Sequence, residues 1–423
     1  MFVLRNIGIH SSHENTIYIR DDSPLMHSEG FKVLTRVFVH FNDSKIIATL
    51  NTVHSNLLKN GEAGLSEEAM LKLSVKDGDT IFVEHLQPIA SLGFVRAKIY
   101  GKELSETAYQ EIIKDVVNGL FSNIELAAFV TACAGNNMNT NEMVYLTKAM
   151  INAGQQIKWE QPVIFDKHCV GGLPGNRTTP IVVSIVAAAG LIIPKTSSKA
   201  ITSPAGTADV IIDIPYGKTA KVRSHEEALK LKYYFEVVSE AIGLRITVLI
   251  TDGSQPVGRG IGPALEALDV LAILNNELNA PQDLKDRSTT IAGKLLELAS
   301  KCKEGEGKKL AETILTSGNA FKKFRAICEA QGGFKIPKKG DFTFDVLSDN
   351  DGIVKEIDNR KLARIAKLAG APKSPGAGII FNAPLGKKIS KDDILFTIYA
   401  EGKGQLEYVK EYLNTVKQLI VIE

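Results

Sequence analysis

A glycine-rich stretch at 166–179, with the sequence DKHCVGGLPGNRTT, separates a short apolar run from an alanine-rich apolar run. The run before it, 162–165, has the length and composition of a buried strand, and the run after it, 180–190, has those of a buried helix. A strand, a glycine loop and a helix in this order are typical of α/β folds. The sequence therefore predicts an α/β domain built around this stretch.

The segments on either side extend this pattern. Four more elements follow in the same alternation, namely strands at 210–214 and 245–251 and helices at 226–242 and from about Pro263. Upstream, the apolar spacing in 104–154 predicts three helices, the second capped by Ser122 and the third beginning at Thr140. A helical region is therefore expected to precede the α/β domain.

The two ends of the chain differ from this middle part. Near the N-terminus, β-prone runs at 35–41 and 80–85 alternate with turns. Near the C-terminus, strands are predicted at 353–357, 378–381 and 394–398, with one helix, at 360–368, among them. The sequence thus predicts a multidomain α/β chain with a β-rich N-terminal domain (1–97), a helical domain (98–160), a central α/β domain (161–336) and an α+β C-terminal domain (337–423).

Composition limits the partners of this chain. Its 50 basic and 48 acidic residues leave a net charge of +2, which gives no reason to expect nucleic acid or an anionic membrane. Four cysteines lie far apart without a CxxC pair, so neither a disulfide framework nor a zinc site is indicated. The N-terminus lacks the pattern of a signal peptide, and the longest apolar run, 181–194, is too short to span a bilayer. We therefore expect a cytoplasmic protein.

The glycine-rich stretch has the residues that an oxyanion site needs. Glycines let the backbone approach a ligand closely, and a helix N-terminus offers free N–H groups and a partial positive charge. Lys167 adds a full charge, while Thr178 and Thr179 add hydroxyl donors. The alternative is a tight strand-to-helix turn with Lys167 at the surface. The stretch is not a P-loop, because its glycine spacing is one residue too short and no Gly-Lys pair closes it.

Two further loops bear on this hypothesis. The segment 194–209 carries six hydroxyl side chains and two lysines, which suit an oxyanion but also fit a solvated linker. The segment 251–263 contains three alternating glycines, for which a plain turn is a better explanation than a dinucleotide site. His168 and Cys169 invite a nucleophile hypothesis, but no partnered base supports it. The two polar loops predict a shared phosphate site at the carboxyl ends of neighbouring strands.

Three motifs together resemble the thymidine phosphorylase and AMP phosphorylase family and occur in the family's order. They are KHCVGG at 167–172, TSS and AGTAD at 196–209, and QPVG and GPALE at 255–266. The flanking regions are similar to the helical and C-terminal domains of the family. The N-terminal β domain resembles that of archaeal AMP phosphorylases and of their bacterial relatives that carry the name thymidine phosphorylase.

The resemblance implies a pentosyltransferase that carries out reversible phosphorolysis of thymidine or another pyrimidine nucleoside, with inorganic phosphate as co-substrate and no cofactor or metal. Catalytic roles are implied for Lys167 and His168. Phosphate contacts are implied for Lys167, Cys169, Thr179, Ser197 and Thr207. Nucleotide-binding positions are implied at Gly171, Gly172, Ser198, Lys199, Ala200, Ile201, Thr202 and Ser203. The family also implies a homodimer or larger homo-oligomer with small-molecule ligands.

Two alternatives remain within or near this family. AMP phosphorylase, which gives adenine and ribose 1,5-bisphosphate, shares all three motifs. A phosphoribosyltransferase is disfavoured, because it would need a diphosphate and metal site and the sequence has no acidic metal-binding run. An assay with either thymidine or AMP separates thymidine phosphorylase from AMP phosphorylase, since release of thymine or of adenine identifies the substrate.

The chain departs from the family directly after the second motif. Family members continue from Ala208-Asp209 through a long segment that holds the base-binding residues and part of the helical domain. In this chain Asp209 leads almost at once into the strand at 210–214. Either the protein has a segment that this sequence omits, or the chain has lost it. In the second case we expect a non-catalytic relative that binds phosphate or nucleotide without efficient turnover.

Overall fold

The computed structural model describes residues 1–12, 14–28, 31–155, 159–160, 163–195 and 208–423. The chain divides into two compact units, Met1–Gln155 and Gln156–Glu423. None of the helices in these ranges combines the length and the apolar character that a bilayer crossing requires. The glycine-rich stretch lies in the second unit.

The first unit begins with a small β-barrel. Its elements are β1 (Phe2–Asn6), β2 (Thr16–Arg20), α1 (Pro24–Ser28), β3 (Arg36–Phe41), β4 (Ser44–Val53), β5 (Glu62–Leu65), α2 (Glu67–Leu73) and β6 (Thr80–His85). The strands close in the order β1-β5-β2-β4-β3-β6. Alternate side chains such as Leu4, Ile17 and Ile19 are fully buried inside, as a packed small barrel requires. The strands predicted at 35–41 and 80–85 are β3 and β6.

Four helices complete the first unit: α3 (Leu92–Ile99), α4 (Glu106–Val117), α5 (Asn123–Cys133) and α6 (Thr140–Ala153). Ser122 and Asn139 form capping boxes at the starts of α5 and α6, so the predicted Ser122 cap is confirmed. Helix α3 was not predicted, and the boundary proposed between 97 and 98 falls inside it. Its Val95 packs with Tyr109 and Ile112 of α4, so α3 shares the helical core.

A buried ion pair links the helices of this unit. Lys98 Nζ donates to both carboxylate oxygens of Glu142, at 2.6 and 2.7 Å, and the two residues are 3% and 1% exposed. Glu142 also accepts hydrogen bonds from the Leu104 backbone N–H and the Tyr109 hydroxyl. Because a buried charge is tolerated only when it is paired, each partner depends on the other.

We expect Lys98→Met to destabilise the helical part by about 3 kcal/mol, because it leaves the Glu142 carboxylate buried without its cation. Hydrogen–deuterium exchange of α4 and α6 should rise strongly, while exchange of the sheet in the second unit stays unchanged. Lys102→Met, at an exposed lysine of the same region, is the matched control. Equal exchange in both variants would contradict the proposed dependence.

The second unit begins with a parallel sheet flanked by helices. Its elements are β7 (Ile164–Cys169), α7 (Thr178–Ala188), β8 (Ala208–Tyr216), α8 (His225–Ala241), β9 (Arg245–Asp252), β10 (Gly260–Ile261), α9 (Pro263–Leu274), α10 (Gln282–Leu298), α11 (Gly307–Thr316) and α12 (Asn319–Ala330). Strands β7, β8 and β9 are parallel neighbours in that order. One face of the sheet packs against α7 and α10, and the other packs against α8. This is the α/β arrangement that the sequence predicts.

The C-terminal part consists of β11 (Phe342–Leu347), β12 (Gly352–Ile357), α13 (Asn359–Leu368), β13 (Gly378–Phe381), β14 (Lys388–Ile389), β15 (Ile394–Ala400), α14 (Lys403–Thr415) and β16 (Ile420–Ile422). Its sheets have the orders β10-β13-β15-β11 and β14-β12-β16. Strand β10 belongs to the 251–263 segment, so this segment joins the C-terminal sheet to the α/β part.

Two sequence predictions need correction. The strand expected to end at Phe165 runs on to Cys169, so Lys167, His168 and Cys169 lie on a strand and not in the glycine loop. The apolar run that predicted the strand ends at Phe165, because charged and polar side chains follow it in this part of the strand. The prediction of a single C-terminal helix is also wrong, because α14 is a second helix in this part of the chain. Its start at Gly402 has no side-chain cap, although Leu406 and Val409 show a buried helical face.

Candidate phosphate-binding site

The site is organised by the alternation of side chains along β7. Phe165 packs in the apolar cluster on the α7 side of the sheet, whereas Ile164 belongs to the cluster on the α8 side. Because successive side chains of a strand point to opposite faces, Lys167 lies on the α7 side and His168 on the α8 side. The structure therefore places the two residues predicted to be catalytic on opposite faces of one strand.

Lys167 is held at the start of α7. Its side chain is 2% exposed, and Nζ donates to the Thr178 hydroxyl at 2.6 Å and to the Thr179 hydroxyl at 3.4 Å. The N-cap position of α7, Arg177, makes no side-chain cap hydrogen bond, so the first N–H groups of the helix are not capped by that side chain. An ammonium group, two hydroxyls and a helix N-terminus thus meet here, which suits an oxyanion.

Burial makes the charged form of Lys167 energetically unfavourable in this position. Burial lowers the pKa of its ammonium group, and the cations of Lys195 and Arg287 lower it further, while Cys169 and Asp213 act in the opposite direction. Lys167 therefore gains from any anion that binds next to it.

Cys169 is engaged with protein groups. Its Sγ donates to a carboxylate oxygen of Asp213 at 3.5 Å and accepts from the Gly171 N–H and the Asn176 amide at 3.4 Å each. Burial raises the pKa of the Cys169 thiol to about 11, and the charge of Asp213 acts in the same direction. The thiol is therefore protonated near neutral pH, which argues against a nucleophilic role. Asp213 is fully buried and also accepts from the Thr251 hydroxyl at 2.6 Å.

His168 belongs to a second polar cluster, on the α8 side of β7. Its Nε2 lies 2.6 Å from one oxygen of the buried Asp166 carboxylate, and Lys195 Nζ lies 3.1 Å from the other. Burial alone would raise the pKa of Asp166, but the hydrogen bond and charge of His168 and the charge of Lys195 hold it below its usual value. The carboxylate therefore fixes the imidazole ring through Nε2, which also lies 3.4 Å from Lys195 Nζ.

The glycine loop between β7 and α7 is shaped by close contacts. Gly172 has φ +84°, and a Cβ at this position would lie 2.7 Å from the Cβ of Lys221. Gly175 has φ +71°, and a Cβ there would meet the Val257 carbonyl oxygen. Both positions therefore require glycine. The loop is also tied to the 251–263 segment, since the Val257 N–H donates to the Pro174 carbonyl at 3.1 Å.

The 251–263 segment is itself a braced turn, as the sequence favoured. The half-buried Asp269 carboxylate accepts from the N–H groups of Arg259 and Gly260 at 2.6 and 2.7 Å. Arg177 Nε donates to Glu266 at 2.5 Å and joins the glycine loop to α9. The segment thus braces the glycine loop.

The structure groups some of the predicted site residues and leaves others undescribed. Lys167, Thr179, Cys169, Gly171 and Gly172 lie together at the carboxyl edge of β7 and the start of α7. The other predicted residues, Ser197, Ser198, Lys199, Ala200, Ile201, Thr202, Ser203 and Thr207, fall in 196–207, outside the described residues.

Sequence reasoning assigned no role to three polar residues of the candidate site: Asp166, Asp213 and Thr251. Asp213 and Thr251 lie near the carboxyl ends of β8 and β9, where ligands of open α/β sheets bind, so their position at strand ends was the available signal. In the described ranges, no three His, Cys, Asp or Glu side chains converge as a metal site would require. The fold and the geometry define an α/β protein with a candidate oxyanion site at the carboxyl edge of a parallel sheet.

Comparison with known proteins agrees with this class. Residues 93–154 match the model of the "Glycosyl transferase family, helical bundle domain", and residues 353–422 match that of the "Pyrimidine nucleoside phosphorylase C-terminal domain". A protein of Legionella pneumophila (strain Paris) named "Putative thymidine phosphorylase" is 45% identical over 490 residues, covering 99% of this chain and 95% of the relative. Proteins of the same name from Hahella chejuensis and Maricaulis maris are 42% and 41% identical, with 99% of this chain covered in each.

The chain therefore belongs to the thymidine phosphorylase family. The alignment with the Legionella relative is longer than the chain itself, 490 against 423 residues. At least 67 aligned positions thus have no counterpart in this chain. This agrees with the departure from the family pattern seen after Asp209.

We expect phosphate affinity to fall as the pH rises through the alkaline range, before an ordinary lysine with a pKa of about 10.4 loses its proton. The reason is that the pKa of Lys167 is lowered by burial, so its ammonium group is lost earlier on the alkaline side. Isothermal titration calorimetry with inorganic phosphate across this range tests it. Cys169→Ser is the control for thiol ionisation and should keep the same pH dependence. An affinity that is constant up to pH 10 would contradict the prediction.

Proposed function

We propose that the protein is a nucleoside phosphorylase that splits thymidine with inorganic phosphate. The observation that carries the proposal is the buried Lys167 ammonium group bonded to Thr178 at the start of α7. An oxyanion bound there would also accept hydrogen bonds from the first N–H groups of α7 and from the hydroxyl of Thr179. The names of the full-length relatives give the proposal its substrate class.

In this reaction an oxygen of inorganic phosphate forms a bond to C1′ of the sugar, and the bond from C1′ to the base nitrogen breaks. The base leaves with the bonding electron pair and takes a proton, so the products are thymine and 2-deoxyribose 1-phosphate. The bond breaks through an oxocarbenium-like state, as in glycoside hydrolysis, and positioning an anionic nucleophile lowers its barrier. Lys167 and Thr179 would hold the nucleophile.

His168 would act at the sugar or the base. Asp166 holds one ring nitrogen, and the other is then oriented as a hydrogen-bond partner or proton donor. Ser197 and Thr207 would add phosphate contacts, as would Cys169. Gly171, Gly172 and residues 198–203 would line the nucleoside. We further propose small-molecule substrates only, no cofactor besides phosphate as co-substrate, and a cytoplasmic homodimer or larger homo-oligomer.

Two other functions compete with thymidine phosphorolysis. AMP phosphorolysis would use the same phosphate site and differs in the base and in the 5′-phosphate. A non-catalytic phosphate- or nucleotide-binding role is favoured by one observation, the 67 or more aligned positions that this chain lacks. In that case the phosphate half of the site would remain without the base half.

One set of measurements separates the three functions. Intact-mass spectrometry first determines whether the purified chain has the 45.9 kDa of this sequence. The protein is then incubated with phosphate and either thymidine or AMP, and we expect phosphate-dependent release of thymine. Release of adenine instead would name AMP phosphorylase. Phosphate binding without release of either base, at 45.9 kDa, would favour the non-catalytic role. Absence of both binding and release would contradict all three.

We expect Lys167→Ala to weaken phosphate saturation by roughly tenfold to a hundredfold, because a charged hydrogen bond to the ligand is lost. Saturation by the nucleoside should change by less than about threefold, because Lys167 makes no proposed contact to it. The apparent KM values for both substrates measure this, or the phosphate Kd if turnover is absent. Lys309→Ala, at an exposed lysine of α11, is the control. Equal effects on both substrates would refute the role of Lys167.

A further inference from the structure

Helix α10 carries a cationic side chain that none of the sequence motifs includes, and this side chain lies on the helix face that is turned toward the proposed phosphate site. Leu284, Ser288 and Ile291 form the buried face of α10, and Leu284 and Ile291 pack in the same apolar cluster as Phe165. Arg287 follows Leu284 by three residues and precedes Ile291 by four, so it shares this inner face. This is the face of the sheet on which Lys167 lies.

A hydrogen bond fixes Arg287 at the carboxyl edge of the sheet. Its Nη2 donates to the backbone carbonyl of Asp252, the last residue of β9. The preceding residue, Thr251, donates to Asp213, whose other oxygen accepts from Cys169. Arg287 therefore lies at the same sheet edge as the groups around Lys167. Its charge is near enough to contribute to the lowered pKa of Lys167, after burial and the charge of Lys195.

The guanidinium group of Arg287 is not satisfied within the part of the chain that the structure describes. Its Nη1 is buried and has no hydrogen-bond partner among the described residues. The two neighbouring carboxylates are engaged elsewhere, since Asp286 pairs with Lys308 at 3.1 Å and Asp252 accepts from Ser254 at 2.9 Å. A buried donor of this kind costs stability unless a ligand satisfies it.

The local charge balance calls for a second cation. Near neutral pH inorganic phosphate is a mixture of monoanion and dianion, and Asp213, which is fully buried, adds a negative charge within reach of Lys167. The positive charge of Lys195 is already paired with Asp166. Lys167 and the partial charge of α7 alone would therefore leave a dianion under-compensated. An arginine remains charged at all relevant pH values and offers paired N–H donors to phosphate oxygens.

We propose that Arg287 is a phosphate-contacting residue of this site, which binds the anion through Nη1 while Nη2 stays on the Asp252 carbonyl. The proposal deepens the proposed function and rests on its phosphate site. It applies to the phosphate group itself, as free phosphate or as part of a sugar 1-phosphate, because the two share the same oxygens.

The test is isothermal titration calorimetry with inorganic phosphate on the full chain and four variants. Arg287→Gln keeps one donor for the Asp252 carbonyl and removes the charge, and Arg287→Lys keeps a charge without the paired donors. Lys167→Ala reports the site itself. Lys285→Met removes a cation two residues earlier on α10, about 200° around the helix, and controls for a general charge effect. Circular dichroism and thermal unfolding without phosphate check that each variant folds.

We expect Arg287→Gln to weaken phosphate binding at least tenfold, Arg287→Lys to weaken it less, and Lys285→Met to leave it within about twofold. The salt dependence of binding should also be shallower in Arg287→Gln. If Lys167→Ala weakens binding and both Arg287 variants bind like the wild type, the Arg287 inference is wrong while the phosphate site stands. An equal loss in Lys285→Met overturns it as well. If the wild type binds no phosphate, the proposed function and this inference both fail.

Discussion

The burial of the Lys167 ammonium group at the start of α7 sets the requirements for the rest of the second unit. Removing a cation from water costs several kcal/mol unless other groups replace its hydration. Here the Thr178 hydroxyl at 2.6 Å, the Thr179 hydroxyl at 3.4 Å and the nearby Asp213 carboxylate take that role. The strand must therefore end beside the N-terminus of α7, and the loop between them must turn tightly. This is the structural reason for the glycines at 172 and 175.

The pleat of β7 separates two kinds of chemistry. On the α7 side, Lys167 and Cys169 face hydroxyls, Asp213 and the helix N-terminus, a setting for an anion. On the α8 side, Asp166 holds His168 and Lys195, a setting for hydrogen bonding or proton transfer. Under the proposed function, consecutive residues of one strand would thus serve the phosphate and another part of the substrate without competing for the same space. Both sets lie near the carboxyl edge of the sheet, where small ligands of open α/β sheets bind.

Much of the fold was predictable because local signals and tertiary packing agree. The Ser122 cap, the apolar faces of α4 to α9 and the three parallel strands all follow from composition and spacing. The end of β7 was not predictable from apolarity, since Asp166 to Cys169 are polar residues kept in a strand by the ladder with β8. Groups such as Asp213 and Arg287 come from elements far along the chain. Only the register of the sheet and the packing of α10 bring them to the site.

The same topology bears on the aligned positions that the relatives have and this chain lacks. Part of the candidate site can keep its geometry without them. Asp209 lies within β8 and pairs with Phe165 on one side and Arg245 on the other, so the sheet is continuous through the residue after which the motifs predict a departure from the family. Lys167 and Thr178 precede this point, and Asp213, Thr251 and Arg287 follow it. Under the proposed function, the groups that would hold phosphate therefore lie on one continuous sheet, whichever residues recognise the base.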